Sequence, residues 1–306
     1  MNDDAIVARA VEVLRHGGLV AIPTETVYGL AADAANPSAV ARLYAVKGRP
    51  ADHPLILHVH GVEALDAYVA TVSPALRALA ARFWPGPLTV VVARGPRTPL
   101  AVTGGQETVA VRAPAHPLAR AILARFGGAL VAPSANRFGR VSPTTAEHVR
   151  EDLGADVDLI VDGGPATVGV ESTIVDLSGD EPALLRAGAI TAAQLAAVLG
   201  REVAPHGRGD VRAPGTLPSH YAPRASVVLV APDEREPEAA RRAARGERVA
   251  VLALADEPAR AARELYASLR ALDAAGYATI VAALPPDTPE NAAVRDRLTR
   301  AAAPRD

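Results

Sequence analysis

Between residues 201 and 223 the chain carries Pro205, Gly207, Gly209, Pro214, Gly215, Pro218 and Pro223, a stretch that resists both helix and interior strand. Proline lacks the amide hydrogen that either ladder needs, and glycine gives up the most backbone freedom on ordering. The stretch therefore reads as an extended linker between two domains. A length of 306 residues points the same way, because single cores stop growing by about 250 to 300 residues. The expected organisation is a large domain over 1–200, a linker over 201–223 and a small domain over 224–306.

Before the break, Val7, Val11 and Leu14 recur at helical spacing with Asp3 or Asp4 available as a cap, so a helix is expected over about 4–16. Residues 19–22 read as a short buried strand stopped by Pro23, and Pro37 opens a second helix that runs to about Val46. Further strands are expected over 55–59, 88–93, 109–112, 130–132, 159–161, 172–177 and 183–186, and helices over 74–83, 116–126, 145–153 and 191–199. Strands come too often without intervening helices for a purely parallel, doubly wound sheet. The fold class is α/β, with a twisted sheet of mixed parallel and antiparallel strands around a concave cleft. After the break, strands over 227–230, 249–252 and 280–284 alternate with helices over 234–245, 258–275 and 290–300. That is a small three-layer, Rossmann-like module, but without a Gly-x-Gly-x-x-Gly turn it offers no dinucleotide site.

The absence of cysteine excludes disulfides, thiolate nucleophiles and cysteine-bound zinc or iron–sulfur centres. The eight histidines form no His-Glu-x-x-His pattern, so no metal ligand is nominated, and His53, His58 and His60 are assigned to a strand and its approach. No apolar run approaches the length of a membrane span, and Met1-Asn2-Asp3-Asp4 does not open a secretory signal, so a cytoplasmic location is expected. A net charge of −2 with 3% aromatic residues argues against stable nucleic-acid binding, which would want a basic excess and stacking rings.

Only one of the 32 basic residues is a lysine, Lys47. Where arginine fills nearly every cationic position, a surviving lysine marks a place that needs a compact ammonium, above all at a phosphate. A solvated lysine at a helix end is the ordinary alternative; its setting in Lys47-Gly48-Arg49-Pro50 favours the ligand. The glycine there would let backbone approach a bound molecule. Four more polar clusters fall at strand ends or turns: Pro23 to Leu30, with Thr24, Glu25, Thr26 and Tyr28; Thr108 to Arg112; Pro133-Ser134-Ala135-Asn136, with Ser142 beyond; and Ser172 to Asp176, with Arg186 ending the next strand. No Gly-x-Ser-x-Gly elbow and no Walker-type glycine loop is present, which disfavours an acyl-serine hydrolase and a P-loop NTPase. Lys47, Arg49, Arg112 and Arg186 among many hydroxyls point to a pocket for phosphates and a small polar molecule.

The strings PTETVYGL, KGRP with His58 behind it, WPGPLT (Trp84 to Thr89), Val109 to Arg112, PSAN and STIVD resemble, in order and spacing, the YrdC/Sua5 family. Pro214-Gly215-Thr216 with His220-Tyr221-Ala222-Pro223 is similar to the interdomain motif of its two-domain Sua5 branch. The resemblance covers nearly the whole chain. It implies a nucleotidyltransferase that makes threonylcarbamoyladenylate and pyrophosphate from L-threonine, bicarbonate or CO2, and ATP. The product would pass to a threonylcarbamoyl-transferase complex for modification of adenosine 37 in tRNA. The same resemblance places L-threonine near Thr26, His58, Arg112, Ala132 and Ser172, with Arg112 the partner of its carboxylate. It places ATP near Lys47, Arg49, His53, Thr108, Ser134, Asn136, Ser142, Arg186 and Tyr221, with Mg2+ carried in on the nucleotide. His53 stands where the family usually has asparagine, and Pro214 to His220 is looser than the usual motif. Lys47 and Arg49 are assigned to stabilising phosphate charge, Ser134 and Asn136 to orienting it, and Tyr221 with the preceding linker to closing over the cleft. Two other readings share these residues: a non-catalytic RNA-binding protein, and carbamoyl transfer of the hydrogenase-maturation type, whose cysteine-rich zinc modules this sequence lacks.

Overall fold

A computed structural model describes residues 2–205, 211–215, 217 and 219–304. Gly207, Gly209, Thr216 and Pro218 of the connector lie outside the described residues. The first sheet has nine strands: β1 (Val20–Ile22), β2 (Gly29–Asp33), β3 (Ile56–His58), β4 (Leu88–Ala93), β5 (Thr108–Arg112), β6 (Leu130–Val131), β7 (Leu159–Ile160), β8 (Thr173–Asp176) and β9 (Ala183–Arg186). Their order is β7-β1-β2-β6-β3-β5-β4-β8-β9. Parallel pairs (β1/β7, β3/β5, β4/β8) are interspersed with antiparallel pairs (β1/β2, β2/β6, β3/β6, β4/β5, β8/β9), the expected mixed sheet. β2 is the strand the sequence reading passed over. Its Gly-Leu-Ala-Ala-Asp carries no β-branched residue, and it forms because β1 and β6 flank it and bury its first four residues.

Among the described residues seven α-helices cover this sheet: α1 (Asp3–Arg15), α2 (Pro37–Lys47), α3 (Pro74–Phe83), the single turn α4 (Leu100–Thr103), α5 (Pro117–Phe126), α6 (Ala146–Leu153) and α7 (Ala192–Leu199). The apolar stripe of α1 (Val7, Val11 and Leu14) is buried against α5, at about 1.5 to 3 kcal/mol per side chain. Its cap is Asn2, whose side chain accepts from the amide of Ala5. Asp3 and Asp4 sit in the first turn, where their charge meets the helix dipole instead of capping it. On the other side of the sheet, side chains of α2, α3, α6 and α7 enclose a second apolar core with Leu57, Val90, Val111 and Val175.

The second sheet is parallel, with β12 (Thr279–Ala283) between β10 (Ser226–Val230) and β11 (Val249–Val251). Helices α8 (Arg235–Ala243), α9 (Pro258–Ala274) and α10 (Ala292–Ala302) pack on it. Its core does not stop at the linker, because Val27, Val141 and Val170 of the large domain pack into the cluster that holds Leu265, Tyr266 and Leu298. The connector is likewise not free chain. Ala213, with Val211 beside it, covers Ile56, Val91, Ala110 and Ile174 on the face of β3, β4, β5 and β8. Among the described residues no helix is long and apolar enough to cross a membrane.

Candidate active site

Strand register builds one half of the site. β3 and β5 run parallel with His58 opposite Arg112, so both side chains leave the sheet at its end. Arg112 donates from Nε to the Gly86 carbonyl at 3.2 Å and from Nη2 to Glu25 Oε1 at 2.6 Å, while Nη1 makes no hydrogen bond among the described residues. Glu25 also accepts from the amide of Ala115 at 2.9 Å. Burial alone would raise its pKa, but the Arg112 charge and these hydrogen bonds outweigh burial and hold it below the usual value. His58 Nδ1 lies 3.1 Å from the Ile56 carbonyl, and since a carbonyl only accepts, Nδ1 carries the proton and Nε2 is left as an acceptor. Full burial, with the nearby Arg112 charge, drops its pKa to about 3, so the ring is neutral.

The cationic half comes from the end of α2. Gly48 is the cap, at φ +62°, and its amide and that of Arg49 close the helix on Ala45 and Tyr44. A Cβ at Gly48 would meet no protein atom within 4 Å, so what the fold itself demands of this glycine is left-handed backbone. Arg49 donates to the Pro54 carbonyl at 2.8 Å and lies 5.5 Å from the Phe138 ring centroid. Burial lowers its pKa to about 10, which leaves it charged. Lys47 departs from expectation. It is buried, and its ammonium donates to the carbonyls of Ser134 at 2.5 Å and Asn136 at 2.6 Å instead of standing in the cleft. Burial, reinforced by the charge of Arg49, pushes its pKa well below the ordinary lysine value.

A cavity of about 50 Å³ joins the two halves, lined by Thr26, Arg49, His58, Arg112, Ala132, Ser134 and Arg186 with Glu171, Gly215, His220 and Tyr221. Six of the nominated residues do not line it. Lys47 and Asn136 hold the turn behind Ser134, Asn136 Nδ2 donating to the carbonyls of Arg137 and Arg140. Ser142 donates to Glu171 at 2.5 Å. Ser172 Oγ meets Thr89 at 2.7 Å and accepts from Arg186 Nη2 at 3.1 Å. His53 stacks edge-on to Phe138, 5.3 Å between centroids. Thr108 opens β5 four residues from Arg112, roughly 13 Å away at the usual strand rise, and the connector's Ala213 covers the strand between them.

The connector closes the cavity. Arg186 donates from Nη1 to the Pro214 carbonyl at 2.9 Å, and Tyr221 takes φ +60° with its hydroxyl against Gly215. A Cβ on Gly215 would fall 1.9 Å from that hydroxyl. Of the four buried side-chain polar atoms without a partner among the described residues, two belong to residues of the connector that line the cavity, His220 Nδ1 and Tyr221 OH, and a third, Asn136 Oδ1, lies in the turn behind Ser134. The two at the cavity are free to bond a polar ligand or water. Sequence reasoning missed Glu25, Glu171, Phe138 and His220 as parts of the site. Glu25 stood inside a singled-out cluster, but its partner lies 87 residues away. His220 was visible within the connector motif. Nothing local marks Glu171 or Phe138.

The family profile named Sua5_yciO_yrdC, described as "Telomere recombination", matches residues 12–188. A second, described as "Threonylcarbamoyl-AMP synthase, C-terminal domain", matches residues 190–303. A threonylcarbamoyl-AMP synthase of Pyrococcus abyssi is 38% identical over 95% of this chain and 92% of its own length. One of Bacillus subtilis is 39% identical over 98% of this chain and 94% of its own. The crystal structure of P. abyssi Sua5 complexed with L-threonine superposes with a TM-score of 0.93 at 37% identity, covering 99% of this chain and 95% of that one.

Proposed function

The chain belongs to the Sua5–YciO–YrdC family in its two-domain form, and from this we propose that it is a threonylcarbamoyl-AMP synthase, a nucleotidyltransferase joining L-threonine, bicarbonate or CO2, and ATP. The observation that carries the reading is one pocket in which Arg112 and His58 face Arg49, Arg186 and Tyr221. Arg112 offers Nη1 to the threonine carboxylate, and the His58 Nε2 acceptor suits the hydroxyl or ammonium of the same molecule. The threonine nitrogen attacks the carbon of CO2 and loses a proton to become an N-carboxylate. Its oxygen then attacks the α-phosphorus as the bond to the β-phosphate bridging oxygen breaks and pyrophosphate leaves. Such a step needs alignment and charge neutralisation more than a strong base. Arg49 and Arg186 supply the charge at the pocket, and Lys47 keeps one ammonium hydrogen beyond the two it gives to the turn. No residue acts as a covalent nucleophile.

Among the described residues no cluster of His, Asp or Glu could hold a metal ion, and Glu25 and Glu171 are both paired with arginines. Mg2+ would therefore ride on the ATP phosphates, supplying charge neutralisation there, and not on this chain. A cavity of about 50 Å³ is far below the roughly 300 Å³ that small-molecule sites occupy, so the connector must lift for ATP to enter. Closed again, it would keep water from the labile adenylate until a threonylcarbamoyl-transferase complex accepts it for tRNA modification in the cytoplasm. The test is pyrophosphate release from ATP and bicarbonate. L-threonine should drive it at least about 10-fold faster than L-serine or no amino acid, and threonine-independent release would contradict the reading.

A further inference from the structure

Two side chains of the C-terminal domain reach the wall of the pocket. Glu171 lines it and is buried. Its Oε1 accepts from Ser142 Oγ at 2.5 Å, and its Oε2 accepts from Tyr266 OH at 2.8 Å and Arg297 Nε at 2.9 Å. Tyr266 stands on α9 and Arg297 on α10, the latter 126 residues beyond Glu171. Arg297 is 0% exposed, donates from Nη2 to the Ala187 carbonyl at 3.0 Å, and lies 5.1 Å from the ring centroid of Tyr221. Tyr266 stacks on the same ring at 5.8 Å. Withdrawing a guanidinium fully from water is costly, and apolar residues of similar size often serve a domain interface as well or better. The stability of the interface therefore gives no reason for an ion pair here; its position under the pocket does.

We propose that Arg297 and Tyr266 are positioning residues for the ATP half of the site, so that the C-terminal domain completes a pocket whose reacting groups lie elsewhere. Arg297 and Tyr266 fix the carboxylate of Glu171, Glu171 fixes the hydroxyl of Ser142, and the same two side chains flank the ring of Tyr221. The threonine half is held differently. Arg112 and His58 take their partners Glu25, Gly86 and Ile56 from the large domain alone. Loss of Arg297 should therefore act on ATP and spare threonine.

The inference rests on the synthase reading, and the test separates the two by measuring ATP and L-threonine affinities by calorimetry beside turnover. Arg297→Met in the full-length protein should weaken ATP about 10-fold and change threonine by less than about 2-fold. Glu171→Gln added to Arg297→Met should leave ATP binding as weak as Arg297→Met alone, since both changes break the same chain of contacts to Ser142, and full recovery would show that the loss came from an uncompensated charge and would overturn the positioning role. Tyr266→Phe, which deletes one hydroxyl and keeps the fold, should weaken ATP about 3-fold with the same selectivity, and it decides the matter if Arg297→Met does not melt cooperatively. Equal losses for both ligands, or folded variants with wild-type ATP affinity, would overturn the proposal. A wild-type protein without turnover would sink the synthase reading and leave the affinity ratios to decide this one.

Discussion

The ammonium of Lys47 spends two of its three hydrogens on the turn that carries Ser134 and Asn136. It thus braces the turn whose Ser134 lines the pocket, and the turn answers, the Phe138 amide donating to the Lys47 carbonyl at 2.8 Å. Lys47→Arg would push a wider planar head into a fully buried slot, an overpacking cost of about 1 to 3 kcal/mol. Pyrophosphate release should fall at least about 100-fold and the denaturation midpoint should drop with it; full activity would show that the slot tolerates the fork. Glu25→Gln leaves Arg112 in place but removes the charge that aims it, so the threonine KM should rise about 10-fold with the ATP KM within about 2-fold. Lys47, Arg49 and Arg112 were legible in the sequence because a phosphate or carboxylate pocket demands those residue types. Their orientation was not, since Lys47 turns away from the cleft to satisfy carbonyls 87 and 89 residues further on.

Most elements declare themselves locally. Pro37, Pro74 and Pro117 each stand at the start of a helix, and Gly48, Gly127 and Gly200 each end one in left-handed backbone, signals confined to a few residues. Strand β2 does not, because pairing on both edges, and not its own composition, makes it a strand. The connector was legible as a break, and its proline and glycine content gave no hint that it would lie on β3, β5 and β8. Gly215 is the position where its closure is most exposed to test. Gly215→Ala places a Cβ on the Tyr221 hydroxyl and forces the connector off the pocket. ATP affinity should fall about 10-fold, and the unfolding midpoint should drop as well, because alanine at φ +78° is strained and Tyr221 belongs to the second apolar core. Unchanged ATP affinity would show that the closed connector plays no part in binding.

At the scale of the whole molecule, the two domains share apolar core and buried charge, and His58 of the large domain and His220 of the connector are kept neutral by burial at pKa values of about 3. A histidine whose folded pKa is depressed contributes stability that is complete above about 6.5 and is lost as pH falls toward the folded value. Between pH 7.5 and 5.0 the free energy of unfolding should therefore fall by about 4 kcal/mol for the pair, read from denaturant titrations. Glu171, held at about 2 by Arg297 and Arg186 against burial, adds a second loss between pH 4.5 and 2. A flat profile from pH 7.5 to 5.0 would mean that the histidines reach water. The most direct test of the account as a whole is mass spectrometry of the adenylate made by the full-length protein from ATP, L-threonine and 13C-bicarbonate. The account predicts threonylcarbamoyl-AMP bearing one 13C, in equal amount to the pyrophosphate released. Pyrophosphate without the labelled adenylate, or an adenylate without the label, would contradict it.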